Sequence, residues 1–336
     1  MISSPILKSP ARSLENRQRD VSREQSLRRT PHSSSGATIP TVKPPDPHPH
    51  SPRYHPPAGA CDAHCHIFGP SDRYPYALTR TYTPPDAPLE RFKALQAILG
   101  LERAVLVNAS CYGTDNRVIL DAIAQSGGRY RGIANVDDSF SHRDFEALQH
   151  GGFRGVRFNF VKHLGGKPDL AKFHRVIDRI RPLGWHVVLH FDAGDLVGFD
   201  GLLRKLPATF VIDHMGRVPA KAGLDQEPFR RLVDLARTNS RCWVKVCGPE
   251  RVSSAGPPFT DAVPFARALI EAASDRILWG TDWPHPNTHG ARSIALSTFW
   301  RVAGGECRAC SACSNRVTAS GQAERVRALL PGAADT

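Results

Sequence analysis

No stretch of the chain approaches the ~18 unbroken apolar residues of a membrane span, and the amino-terminal segment holds no apolar run of signal-peptide length. Neither export nor membrane insertion is therefore expected, and a cytoplasmic location is the reading adopted. No GxGxxG follows the first strand-like run, so a dinucleotide site has no support. Tandem repeats are missing too, which leaves out solenoids and propellers. No basic stripe interleaved with aromatics accompanies the net charge of +12, so nucleic acid is not an expected partner.

The location of that charge supports the same exclusion. Residues 1–58 carry nine Lys and Arg against four acids, and residues 291–336 carry six against three, which leaves a surplus of only four between them. The opening 58 residues are rich in Arg, Ser, Pro and His, bury too little apolar surface to offset their ordering entropy, and read as a disordered basic extension. Glu15, Asp20 and Glu24 argue against an organelle transit peptide, which would be poor in acids. Of the eight cysteines, Cys61, Cys65, Cys111, Cys242 and Cys247 lie in or beside apolar strand-like runs and read as reduced, buried thiols. Cys307, Cys310 and Cys313 lack a fourth ligand at metal-site spacing.

What is present is a regular alternation. Eight β-branched runs, 60–64, 103–109, 130–136, 154–160, 186–191, 209–214, 242–247 and 277–282, are separated by amphipathic stretches such as 86–99, 116–126, 169–183, 226–238 and 261–274. Eight such units predict a closed parallel α/β barrel over residues 59–290 rather than an open doubly wound sheet. Residues 291–336 do not read as a well-formed eighth helix, and a shifted reading frame near residue 290 would explain this atypical segment.

In such a barrel the loops after the strands converge on one mouth, so polar residues at strand ends are the informative ones. The first run ends in Asp62-Ala63-His64-Cys65-His66, the fifth in His190, the sixth in Asp213-His214, and the eighth in Asp282 followed by Trp283-Pro284-His285. Burying so many polar groups is costly without partners, and their common placement points to one active site.

The segments DAHCHIFGP, GFRGVRFNFVKHLGG, GWHVVLHFDAGDL, FVIDHMGR and LWGTDWPHPN resemble the 2-pyrone-4,6-dicarboxylate lactonase group of the amidohydrolase superfamily, with its relative 4-sulfomuconolactone hydrolase. The resemblance runs from about residue 58 to 290. It implies a (β/α)8 TIM barrel of the metal-dependent hydrolase type and hydrolytic opening of a small anionic lactone in the catabolism of aromatic compounds. Matched by position, Asp282 corresponds to the general base, and His64, His66 and His214 to strand-end histidines. Arg157 and Arg251 match guanidiniums that grip substrate carboxylates, while Tyr82, Ser110 and Asn287 match polar pocket residues.

Lactone hydrolysis needs an activated water, a group that stabilises charge on the carbonyl oxygen, and clamps for anionic substituents. Asp282 beside His214 and His285 suits the first, imidazoles or a metal the second, and Arg forks the third. A structural ion pair is the competing reading for both arginines. Two positions depart from the dicarboxylate lactonases, which carry Tyr where this chain has His190 and Arg where it has His163, so a different anion is expected. His190 also bears on the cofactor: with His64, His66 and Asp282 it completes a set suited to one divalent metal, zinc first, with a metal-free site as the alternative. The rival activities are a metal-dependent decarboxylase on the same scaffold and an inactive homologue.

Overall fold

The computed structural model describes residues 39–286 except 53, 54, 165, 167 and 168. The amino-terminal extension up to residue 38, the segment 291–336 and Asn287 lie outside the described residues.

Strands and helices alternate: β1 (Cys61–Cys65), α1 (Leu89–Leu99), β2 (Arg103–Val107), α2 (Arg117–Ala124), β3 (Tyr130–Ala134), α3 (His142–His150), β4 (Phe153–Asn159) and α4 (Leu170–Ile180). They continue with β5 (His186–His190), α5 (Asp195–Lys205), β6 (Phe210–Ile212), α6 (Glu227–Thr238), β7 (Cys242–Lys245), α7 (Val263–Ala273) and β8 (Ile277–Leu278). The eight strands form one parallel sheet in sequence order. All eight predicted runs become strands, several of them shorter at the carboxyl end, where the chain turns out of the ladder to present side chains.

Local chemistry explains the elements. In α4, Asp169 caps the helix by accepting the Lys172 amide at 2.9 Å, and Phe173, Val176, Ile177 and Ile180 recur on one face and are buried. Ser141 and Asp144 form a capping box at the start of α3. Gly100 ends α1 at φ 70, a left-handed conformation that returns its amide to the Gln96 carbonyl. β5 and β6 are buried on both faces, as sheet wrapped by helices must be.

Closure falls between β8 and β1. Ala63 donates its amide to the Trp279 carbonyl at 2.9 Å, Asp282 donates to the His64 carbonyl at 2.7 Å, and His66 donates to the Trp283 carbonyl at 2.7 Å. The Asp62 carboxylate stitches the seam further, accepting the Thr281 hydroxyl at 2.5 Å and the amides of Thr281 and His64 at 3.0 Å each. Residue 280 must be glycine, because a Cβ there would stand 2.5 Å from the His64 amide nitrogen.

Candidate active site

Strand ends on both sides of this seam meet in a buried cluster around two carboxylates. Asp282 leaves β8 with φ 55, a conformation costly for a non-glycine residue and typical of functional sites. Its Oδ1 lies 3.4 Å from His64 Nε2 and 3.2 Å from His66 Nε2. Its Oδ2 accepts from Arg251, through Nε at 3.1 Å and through Nη2. Burial alone would raise the Asp282 carboxyl, but the Arg251 guanidinium above all outweighs it and holds the group well below the usual carboxylate range.

Asp213, at the end of β6, is the second carboxylate. Arg157 from β4 reaches its Oδ2 through Nη2 at 2.9 Å and Nε at 3.0 Å. Lys245 Nζ stands 3.2 Å from the Oδ1, and His64 Nδ1 stands 3.3 Å from it. Burial pushes this carboxyl up too, and Lys245, His64 and Arg157 overcome that push, leaving it ionised. His64 thus lies between the two carboxylates, with Lys245 Nζ 2.8 Å from its Nδ1.

The remaining imidazoles fill the same mouth. The His214 ring is 4.8 Å from that of His64 and 5.2 Å from that of His190, centroid to centroid. Its Nδ1 is 3.3 Å from Cys247 Sγ. Both His190 nitrogens are buried and have no hydrogen-bond partner among the described residues. Burial lowers all these rings, His66 and His285 to about 4 and His190 and His214 well below the usual imidazole value. Neutral imidazoles serve as hydrogen-bond donors or metal ligands rather than as cations.

The structure brings His64, His66, His190, His214, Asp282, Arg157 and Arg251 to one end of the barrel, with His285 following Asp282. Tyr82 is buried against Ser110 and Cys111 on the wall near Arg157. The His163 side chain, like Asn287, is outside the described residues. Each arginine expected to grip substrate has a carboxylate partner within the protein, Arg157 on Asp213 and Arg251 on Asp282.

The sequence reading did not anticipate Lys245, Cys247, Glu250 or Arg217. Lys245 carries the clearest overlooked signal: a lysine inside the apolar run Cys242–Cys247 has nowhere to go but the barrel interior, and it is 2% exposed. Glu250 is buried with both oxygens unpartnered, apart from Arg251 Nε at 3.5 Å, and burial pushes its carboxyl up to about 7. Arg217 pairs with Asp192 at 3.2 Å.

Among the described residues, one group offers metal-ligand atoms all within 4.8 Å of one another: His64, His214 and Asp282. This departs from the four ligands expected from sequence. The compact group holds His214 and neither His190, whose ring lies 5.2 Å from that of His214, nor His66. His66 supplies the observation that tests the fit. Its Nδ1 lies 2.7 Å from the Val107 carbonyl oxygen, which can only accept, so that nitrogen carries the ring proton and Nε2 presents a lone pair to Asp282. Two electron-rich atoms 3.2 Å apart fit a shared cation, and a carbonyl orienting the far ring nitrogen is how ligating histidines are commonly held.

Comparison with known proteins places this arrangement. The chain is 45% identical over 247 residues to a 2-pyrone-4,6-dicarboxylate hydrolase of Comamonas testosteroni, covering 71% of this chain and 81% of that protein. It is 42% identical over 230 residues to a 4-sulfomuconolactone hydrolase of Hydrogenophaga intermedia, covering 68% and 76% respectively. The crystal structure of a probable 2-pyrone-4,6-dicarboxylic acid hydrolase from Acinetobacter baumannii, with citric acid bound, superposes with a TM-score of 0.68 at 26% identity, covering 77% of this chain and 99% of that one. Residues 61–303 match the amidohydrolase family, and the chain belongs to it.

Proposed function

We propose that the protein is a hydrolase opening a small anionic lactone, of the 2-pyrone-4,6-dicarboxylate or 4-sulfomuconolactone type, in the breakdown of aromatic compounds. The observation that carries this reading is the Asp282 carboxylate, ionised, buried, and in contact with His64, His66 and Arg251 at the barrel mouth. The two relatives above act on lactones of these two kinds by name, and the Acinetobacter structure holds a polycarboxylate.

Asp282 accepts a proton from water as that water attacks the lactone carbonyl. Imidazole N–H groups of His64 and His214 stabilise the developing oxyanion, where a removed donor typically costs about 10²–10³ in kcat. Each guanidinium has five N–H groups, so Arg157 and Arg251 keep donors for a substrate carboxylate or sulfonate beyond those committed to Asp213 and Asp282. An incoming anion that draws Arg251 away from Asp282 makes that carboxylate a stronger base, so substrate binding and base activation are coupled. Tyr82, Ser110, His163, His285 and Asn287 belong to the substrate pocket in this reading.

The cofactor reading is one divalent metal, zinc first, held by Asp282 and His66 with His64, His190 or His214 completing the set. Such an ion would supply Lewis-acid chemistry there, favouring ionisation of water near neutral pH. A cytoplasmic location is supported by five buried free thiols.

The test is a panel of pyrone and muconolactone substrates, followed by ring-opening absorbance, with metal analysis of the purified protein and Asp282→Asn as control. Turnover abolished in that variant supports the reading. Release of carbon dioxide, or equal turnover by the variant, overturns it.

A further inference from the structure

Between β1 and α1 the chain makes a long excursion at the end of the barrel where the site lies. Phe68 and Ala87 exchange backbone hydrogen bonds of 3.0 and 2.7 Å and close its base. Within it, the Ala77 amide donates to the Cys111 carbonyl at 2.8 Å, which ties one side of the loop to the turn after β2 that carries Ser110. Tyr82 comes from the other side and is 3% exposed, its side chain hydrogen-bonded to Ser110 and Cys111.

What holds that second side is a segment from outside the barrel. The Thr83 amide donates to the Pro40 carbonyl at 2.8 Å, and the Val42 amide donates to the Thr83 carbonyl at 3.1 Å. Both backbone groups of the residue after Tyr82 are thereby taken by residues 40–42. Between Arg80 and Ala87 these are the loop's backbone–backbone hydrogen bonds among the described residues. Val42 and Pro45, three residues apart as one turn of extended proline-rich chain requires, are buried, whereas Thr41, Lys43 and Pro44 are exposed. Val42 joins the same apolar cluster as Tyr82. Pro40, Pro44, Pro45 and Pro47 restrict the free segment, which reduces the entropy lost when it docks.

We propose that residues 40–45 are a strap that positions Tyr82, with Val42 as its anchor, so that a segment outside the barrel sets how tightly the pocket wall holds an anionic lactone. Freeing the Thr83 backbone lets the phenol drift from Ser110. A contact made equally to bound substrate and transition state is then lost, which raises KM and spares kcat. The effect on substrate rests on the lactonase reading, whereas the hold on Tyr82 does not.

The experiment uses the full-length protein labelled with 3-fluorotyrosine, whose six tyrosines give resolvable 19F signals, Tyr82→Phe serving to assign one of them. Val42→Asp should shift or broaden the Tyr82 signal and raise KM for the lactone about tenfold, the worth of one hydrogen bond, with kcat little changed. Val42→Ile, which keeps the apolar anchor, should restore both. In the double variant Val42→Asp/Tyr82→Phe, KM should match that of Tyr82→Phe alone, because the strap acts through that ring. If Val42→Asp does not fold, Val42→Ala decides, with a smaller change in the same direction. A Tyr82 signal unmoved in the strap variant, a fall in kcat at constant KM, or additive effects in the double variant overturns the proposal. A displaced Tyr82 signal in a protein that turns over no lactone would instead overturn the functional reading and leave the strap standing.

Discussion

Arg251 meets Asp282 side-on, with Nε 3.1 Å from Oδ2 and Nη2 on the same oxygen, so the carboxylate assigned to take a proton from water is held by a guanidinium. Arg251→Met removes the largest influence lowering the Asp282 carboxyl. The acid limb of the kcat/KM profile should therefore move to higher pH, because a less stabilised carboxylate protonates sooner as pH falls. KM for an anionic lactone should rise together with it. A limb that stays in place would mean that Arg251 does not tune the base.

Stability in acid should follow the two depressed carboxyls. Asp213 and Asp282 have folded values well below 3.8, so their contribution is complete above the unfolded value and is lost as pH falls through about 4 and below. Melting temperature measured from pH 6 to pH 2.5 should drop across that window, and less steeply in Asp213→Asn, although that variant starts from a lower plateau.

Glu250 acts in the opposite sense. Its folded value of about 7 lies above the ordinary 4.5, so the protonated form is favoured in the fold and stability declines as pH rises between those values. Glu250→Gln should flatten that decline in chemical denaturation at pH 5, 6, 7 and 8. A variant less stable than the parent at pH 8 would show that the charged carboxylate beside Arg251 is worth more than its burial costs.

Phe173 tests the outer layer. It is 1% exposed between α4 and β4, stacked edge-on with Phe158 at 4.9 Å. Phe173→Ala should cost about 3–5 kcal/mol in denaturant titration, as for other buried aromatics. Its KM should be little changed, because the ring contacts of Phe173 are with Phe158, Phe160 and His174, none of them assigned to the site.

The order of strands was legible because each one is a short β-branched run between amphipathic stretches, and eight such runs allow little besides a barrel. Asp282, His64 and His66 stood out for the same reason: polar residues at the ends of apolar strands have few structural uses. Lys245 did not, because a single lysine within the apolar run Cys-Trp-Val-Lys-Val-Cys is easily passed over, and only the closed barrel brings it onto His64 and Asp213 from other strands. Arg157 and Arg251 show a different limit. Sequence identifies a guanidinium suited to carboxylates, but the Asp213 and Asp282 partners come from other strands, 56 and 31 residues away.

The seam joining the first and last strands also sets a schedule for biosynthesis. His66 and Asp282 are 216 residues apart, and at ~5–20 residues per second a ribosome needs roughly ten to forty seconds to supply the second after the first. Throughout that interval β1 has an unpaired side, the kind of edge that invites association with other chains. Catalytic competence therefore arrives late and all at once, because Asp282 can join His64 and His66 only after the final stave of the cylinder has been delivered.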